Sequence, residues 1–282
     1  VLGCVAATAA LRPVEIVVQR YALVGGLAPT VRRVAALSDL IAIVAFGVLV
    51  CVFHPQPADA PARASATEWV VISAGLGVAL GVLFTPFLGG DDSDHGRFLA
   101  LVGIITFASG AAYFLQISPI FVNLCLGAVL VNASRSGPEI RATLESTRAP
   151  MALILLVFAG ALFRPPPLVP TIVVTVGLIG LRLVGKAIGG ALAARGTELR
   201  PDLHRGLLAQ GEVAVAIAVA YRVFHLEGAV ADVVLASVLA SRVLHDLVAP
   251  RALRKLLVDA GDIRAEAQSI VPRAPDETSE PS

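Results

Sequence analysis

Hydrophobic residues in this chain come in long runs separated by short polar clusters rich in Gly and Pro. The runs 69–90 and 98–134 carry no charge at all. A bilayer-spanning helix needs about 20 mostly apolar residues, so the second run holds two helices. Read this way, the chain divides into nine membrane segments at 1–19, 34–53, 69–88, 98–114, 117–132, 149–163, 170–193, 206–224 and 229–249. Turn signals stand between them, among them "HPQPADAPARASA", "GGDDSDHG", "ASRSGPE", "RPPPLVP" and "GTELRP". The expected fold class is an all-α membrane protein occupying 1–250. After Pro250 the composition shifts, and "RAEAQSIVPRAPDETSEPS" is too poor in large hydrophobes to pack. A disordered tail over 251–282 is expected.

Composition agrees with a membrane class. Hydrophobic residues make up 56% and charged residues 15%, with a mean hydropathy of +0.82. The net charge of +1 excludes a basic surface built for nucleic acid. Cys4, Cys51 and Cys125 lie in apolar segments without metal-ligand spacing and read as small core hydrophobes. The chain opens on "VLGCVAATAA" with no charged stretch before it, which is no signal peptide. Lys and Arg fall thirteen to three on alternate loops. By the positive-inside rule this puts the C-terminal tail in the cytoplasm of a multi-pass, bacterial-type plasma membrane protein.

Several residues do not belong in lipid. Arg12, Arg182, Lys186 and Arg242 are set against Glu15, Asp39, Glu212 and Asp246 within the apolar segments. A charge at a helix centre costs roughly 2.5–3.5 kcal/mol on insertion scales, so such groups face a bundle interior or a watery cavity. Asp39, with Ser38 beside it, precedes an apolar run through Phe53. Its plainest role is a helix-end cap or an interfacial ion pair, since it stands only five residues into its segment. Its alternative role is chemical. In a low-dielectric setting beside a cation, the protonated and ionised forms lie close in free energy, which suits a group that exchanges a proton for a metal cation.

Arg182 and Lys186 are four apart and share one helix face. On the same segment Gly185 and Gly189 form a small-xxx-small pair, which predicts close approach of another helix. Two segments are interrupted: the first by Arg12, Pro13 and Glu15, and the eighth by Gln210, Gly211 and Glu212. Unwound backbone in a bilayer is tolerated only where protein or water surrounds it. Interrupted segments at corresponding places point to the substrate site of a secondary transporter.

These residues carry a resemblance. "AATAALRPVEIVVQRYALVGGLAPTVRRVAALSDLIAIVAFG" resembles a stretch of the monovalent cation:proton antiporters, the sodium/proton exchanger domain that includes Kef-like proteins. "SPIFVNLCLGAVLVN", "LLVFAGALF", "RLVGKAIGG" and "QGEVAVAIAVA" resemble successive blocks of that domain, in order. The resemblance implies two inverted repeats, a core of two crossing broken helices, a dimerisation region and a homodimer. It implies that Thr8 and Pro13 lie in the first unwound stretch and Gln210, Gly211 and Glu212 in the second. It also implies that Asp39 binds the ion or the proton and that Lys186 belongs to the helix bracing the crossing. The transported partners are protons and Na+ or K+, with Thr8 and Ser38 completing the coordination, and no cofactor is called for.

The chain departs from the family pattern in three ways. Ser38 stands where the family carries Asn or a second Asp, which leans towards electroneutral exchange. Arg12 takes a place where a small or acidic residue is common, and is expected to compensate Glu15 or Glu212. The helices that precede the first segment in the family are missing from the chain, which implies a piece unable to transport alone. Two other classes compete with transport: a structural membrane subunit, and an intramembrane protease. The sequence offers the protease neither a G-x-S-x-G stretch nor a second intramembrane aspartate flanked by glycine, so no enzyme is expected.

Overall fold

Apolar runs of this length must satisfy their backbone groups internally, and the helix is the element that does so within one segment. The computed structural model describes residues 1–10, 12, 15–16, 26–55, 64–88, 94–133, 137–195 and 200–263. Among these, nine α-helices and one 3-10 helix follow in order. They are α1 (Leu2–Ala7), α2 (Leu27–Val52), α3 (Ala66–Leu88), α4 (Asp94–Phe114), α5 (Pro119–Ala133), α6 (Gly137–Ala161), α7 (Leu168–Ala194), the 3-10 helix (Pro201–Leu207), α8 (Glu212–Phe224) and α9 (Ala229–Asp259). Six of them, α2, α3, α4, α6, α7 and α9, are long and apolar enough to cross a membrane. The chain is a helical, multi-pass membrane protein.

Helices α2 and α6 begin earlier than the hydrophobic runs predict, at Leu27 and Gly137 instead of 34 and 149. Their first turns carry Pro29 and Pro138, positions where the missing N–H costs nothing. The following turns bury one side only. In α2, Ala28, Val31 and Ala35 are buried while Arg32 and Arg33 stay exposed. Window hydropathy misses such half-polar turns, yet they start α2 seven residues and α6 twelve residues ahead of the apolar run.

The C-terminal boundary also moves. Helix α9 runs through Pro250 to Asp259. Its last turns bury Leu253, Leu256 and Leu257 with Val31, Ala35, Leu203 and Leu207. Asp262, nearly buried, then accepts the backbone N–H groups of Leu27 at 2.9 Å and Ala28 at 3.3 Å. It thereby serves two of the orphan donors at the start of α2. Residues 251–263 are thus packed helix and cap instead of tail, because apolar side chains at helical spacing find a surface in α2 and the 3-10 helix. The remainder of the expected tail, 264–282, lies outside the described residues.

Two further clusters complete the packing. One gathers Val5, Ala42, Phe46, Leu178, Ile217 and Val238 from α1, α2, α7, α8 and α9. The other joins α3, α4, α5 and the start of α6 around Leu101, Val122, Leu126 and Ile140. Helix α6 therefore belongs to both, with Ile140 in one cluster and Ala159 in the other.

Candidate functional site: the crossing of two interrupted segments

Helix α1 stops after six residues. Thr8 turns extended at ψ 157°, and its hydroxyl donates to the Val5 carbonyl at 2.8 Å. The 3-10 helix likewise stops at Leu207, and α8 starts only at Glu212. The two non-helical stretches meet: the Ala10 N–H donates to the Ala209 carbonyl at 3.0 Å. Gly211 belongs at this meeting point for steric reasons, since a Cβ there would lie 3.3 Å from the Ala10 Cα. Pro13, read as part of the first interruption, lies outside the described residues.

Ending two helices inside the protein leaves carbonyls without partners. Arg182 of α7, only 1% exposed, supplies the donors. Its guanidinium donates to the Val5, Ala6, Leu207, Leu208 and Ala209 carbonyls and to the Thr8 hydroxyl. Lys186, one turn on, donates to the Ala7 carbonyl at 2.8 Å. The resemblance implies that Lys186 belongs to the helix bracing the crossing. Within that helix Arg182 serves more of the carbonyls than Lys186 does, because a planar fork of five donors can serve several that a single ammonium cannot reach.

Asp39 is the thirteenth residue of the 26 in α2, its midpoint, and not a helix-end cap. The early start of α2 at Leu27 is what carries it there. Its Oδ1 accepts the Ala9 N–H of the first unwound stretch at 3.0 Å. Lys186, Arg182 and Glu212 are its charged neighbours. Among the described residues none of them forms an ion pair with it, and none donates to Oδ2. Half-buried Ser38 stands beside it. Among the described residues, then, the crossing holds this carboxylate by one oxygen. No family model matches the chain, and no curated protein matches it.

Further out, Gln210 is buried, and its Oε1 accepts the Ser241 hydroxyl at 2.9 Å while its Nε2 has no partner. His245 stacks a further bond onto this chain, its Nδ1 lying 2.7 Å from the Ser241 carbonyl. A cavity of 260 Å³ opens beside Gln210, with Ala10, Arg12, Glu212, Arg242 and Asp246 in its wall. Arg12 is exposed there, in the same wall as Glu212, and forms no ion pair with Glu15 or Glu212 among the described residues. The cation in contact with both acids is Arg148 of α6, which lies 3.2 Å from Glu15 and 3.6 Å from Glu212. Sequence reading places Arg148 in a loop, one residue outside its segment, and so misses it.

Arg222 and Asp232 are a second omission. Arg222, one of the three cations on the sparse side of the loop count, is 1% exposed and paired with Asp232 at 2.7 Å. This pair ties the end of α8 to the start of α9.

Proposed function

We propose that the protein is a secondary active transporter that exchanges protons for a monovalent cation, Na+ or K+, by alternating access. The single observation that carries this reading is the placement of Asp39. A carboxylate at the middle of an apolar helix is bonded to unwound backbone and is not paired with any of the three charges around it. A purely structural aspartate would be closed off by a cation or by several donors, as Asp232 and Asp262 are here.

On this reading Asp39 holds either a proton or one cation. Oxygen ligands suit a hard cation, and Ser38 and nearby backbone carbonyls are the remaining oxygens at hand. Arg182 and Lys186 are fixed charges. They hold the interrupted segments together and offset a filled or empty Asp39. With no second acid at position 38, one proton replaced by one cation leaves the site's charge unchanged, as electroneutral exchange requires. The nine-span parse, the inverted repeat, the homodimer and the cytoplasmic Arg-rich face belong to the same proposal, as does membership of the sodium/proton exchanger family.

The test is proton flux in proteoliposomes carrying an imposed Na+ or K+ gradient. Asp39→Asn is expected to reduce cation-dependent flux to that of empty vesicles. Flux that persists in this variant, or no flux from a protein in which the family's preceding helices are joined to this chain, overturns the proposal; the second outcome favours a structural subunit.

A further inference from the structure

Glu15 and Glu212 come from the two interrupted segments, nearly 200 residues apart in sequence, yet one guanidinium holds both. That guanidinium comes from neither segment. Arg148 sits on α6, the helix whose start packs among α3, α4 and α5 and whose end packs with α1 and α8. It lies between those two regions of α6, two residues before Pro150. Pro150 removes a backbone donor from the helix interior and loosens the turn in which Arg148 lies.

Glu212 is the first residue of α8, and its carboxylate already sits at the positive end of that helix. It does not need Arg148 to be tolerated there. Arg148 is itself 40% exposed, with the two carboxylates at 33% and 19%. The bridge is therefore open on one side. A partly open bridge that joins both interrupted segments to a helix shared with the other cluster is suited to fixing position.

We propose that Arg148 is a positioning residue for the carboxylate site. Bound to Glu15 and Glu212 together, it clasps the two interrupted segments against α6 and closes the path from the Arg-rich face to Asp39. Its release lets the segments part from α6 and admits water and ions. This inference rests on the reading of Asp39 as the exchange site.

The test measures access to Asp39 directly, without transport: labelling by a water-soluble carbodiimide in detergent, quantified at Asp39 by mass spectrometry. Arg148→Gln is expected to raise the labelling rate severalfold. Glu15→Gln and Glu212→Gln each do the same, and neither adds to the effect of Arg148→Gln. Arg148→Lys, which keeps a cation between the two carboxylates, holds the rate near that of the unmodified protein. Should Arg148→Gln fail to fold, Glu15→Gln reads the same quantity with one anchor removed. Labelling that is unchanged in the variants that fold overturns the clasp. Because the readout needs no flux, a failed clasp is distinct from a failed transport reading, which Asp39→Asn decides.

Discussion

Arg182 and Asp39 divide the work of the crossing between them, and the division can be measured. Arg182 satisfies carbonyls that no water reaches, so replacing it leaves buried acceptors unpaired. Breaking a buried charged network costs about 3–5 kcal/mol, and Arg182→Lys keeps the charge while losing the fork. Arg182→Lys is therefore expected to lower thermal stability in detergent by about 3 kcal/mol or more, with a fall in the melting temperature. Asp39→Asn behaves oppositely. Asparagine still offers an oxygen to the Ala9 N–H, so stability is expected to change by less than about 1 kcal/mol, the net worth of one hydrogen bond, while the proposed exchange is expected to be lost. Equal stability losses in the two variants contradict this separation of structure from chemistry.

Among the elements, close helix approach occurs where glycine faces backbone, not wherever glycines repeat. A Cβ on Gly77 would strike the Val122 carbonyl and Cys125, and one on Gly81 would meet Val129 at 2.7 Å, so α3 and α5 touch through this small-xxx-small pair. The Gly185 and Gly189 pair predicted for that purpose has nothing within 4 Å of either added Cβ. Gly77→Ala is expected to destabilise by about 1–3 kcal/mol, the range for overpacking. Gly185→Ala is expected to be neutral or stabilising by up to about 1 kcal/mol, since alanine is the better helix former. Thermal unfolding of both variants side by side checks the contrast.

At the scale of the whole molecule, the 3-10 helix is fastened to the end of α9 by a charged cluster outside the spans. Arg200 donates to Asp202 at 3.0 and 3.1 Å and to the Asp259 carbonyl, and Arg205 pairs with Asp259 at 3.5 Å. The hydrogen bond from Arg200 holds the Asp202 carboxyl below the usual carboxylate range, and the charges of Arg200 and Arg205 add to the effect. A group whose folded value is depressed contributes stability above its unfolded value and loses it as pH falls through the folded one. The cluster should therefore loosen below about pH 4, the ordinary aspartate value. Asp202→Asn should lower stability slightly at neutral pH and flatten the acid limb of a stability-against-pH curve, so that the two curves converge at low pH; an identical acid limb in the variant refutes the assignment.

What the sequence by itself determined is the membrane class, the order of apolar segments, the two interruptions and the small set of charges that lipid cannot hold. Those are properties of composition and spacing, and the cost of a bare charge or an unpaired carbonyl in hydrocarbon makes them legible. Only the tertiary structure decided which charge meets which. Arg182 serves more of the broken ends than Lys186, its neighbour on the same helix face, because it faces the carbonyls of both. Arg148 reaches Glu15 and Glu212 because α6 starts a dozen residues before its apolar run. Asp39 becomes central because Ala28, Val31 and Ala35 find apolar partners that extend α2. Helix ends that are set by packing against distant segments leave no local signal, so their contacts appear only in three dimensions.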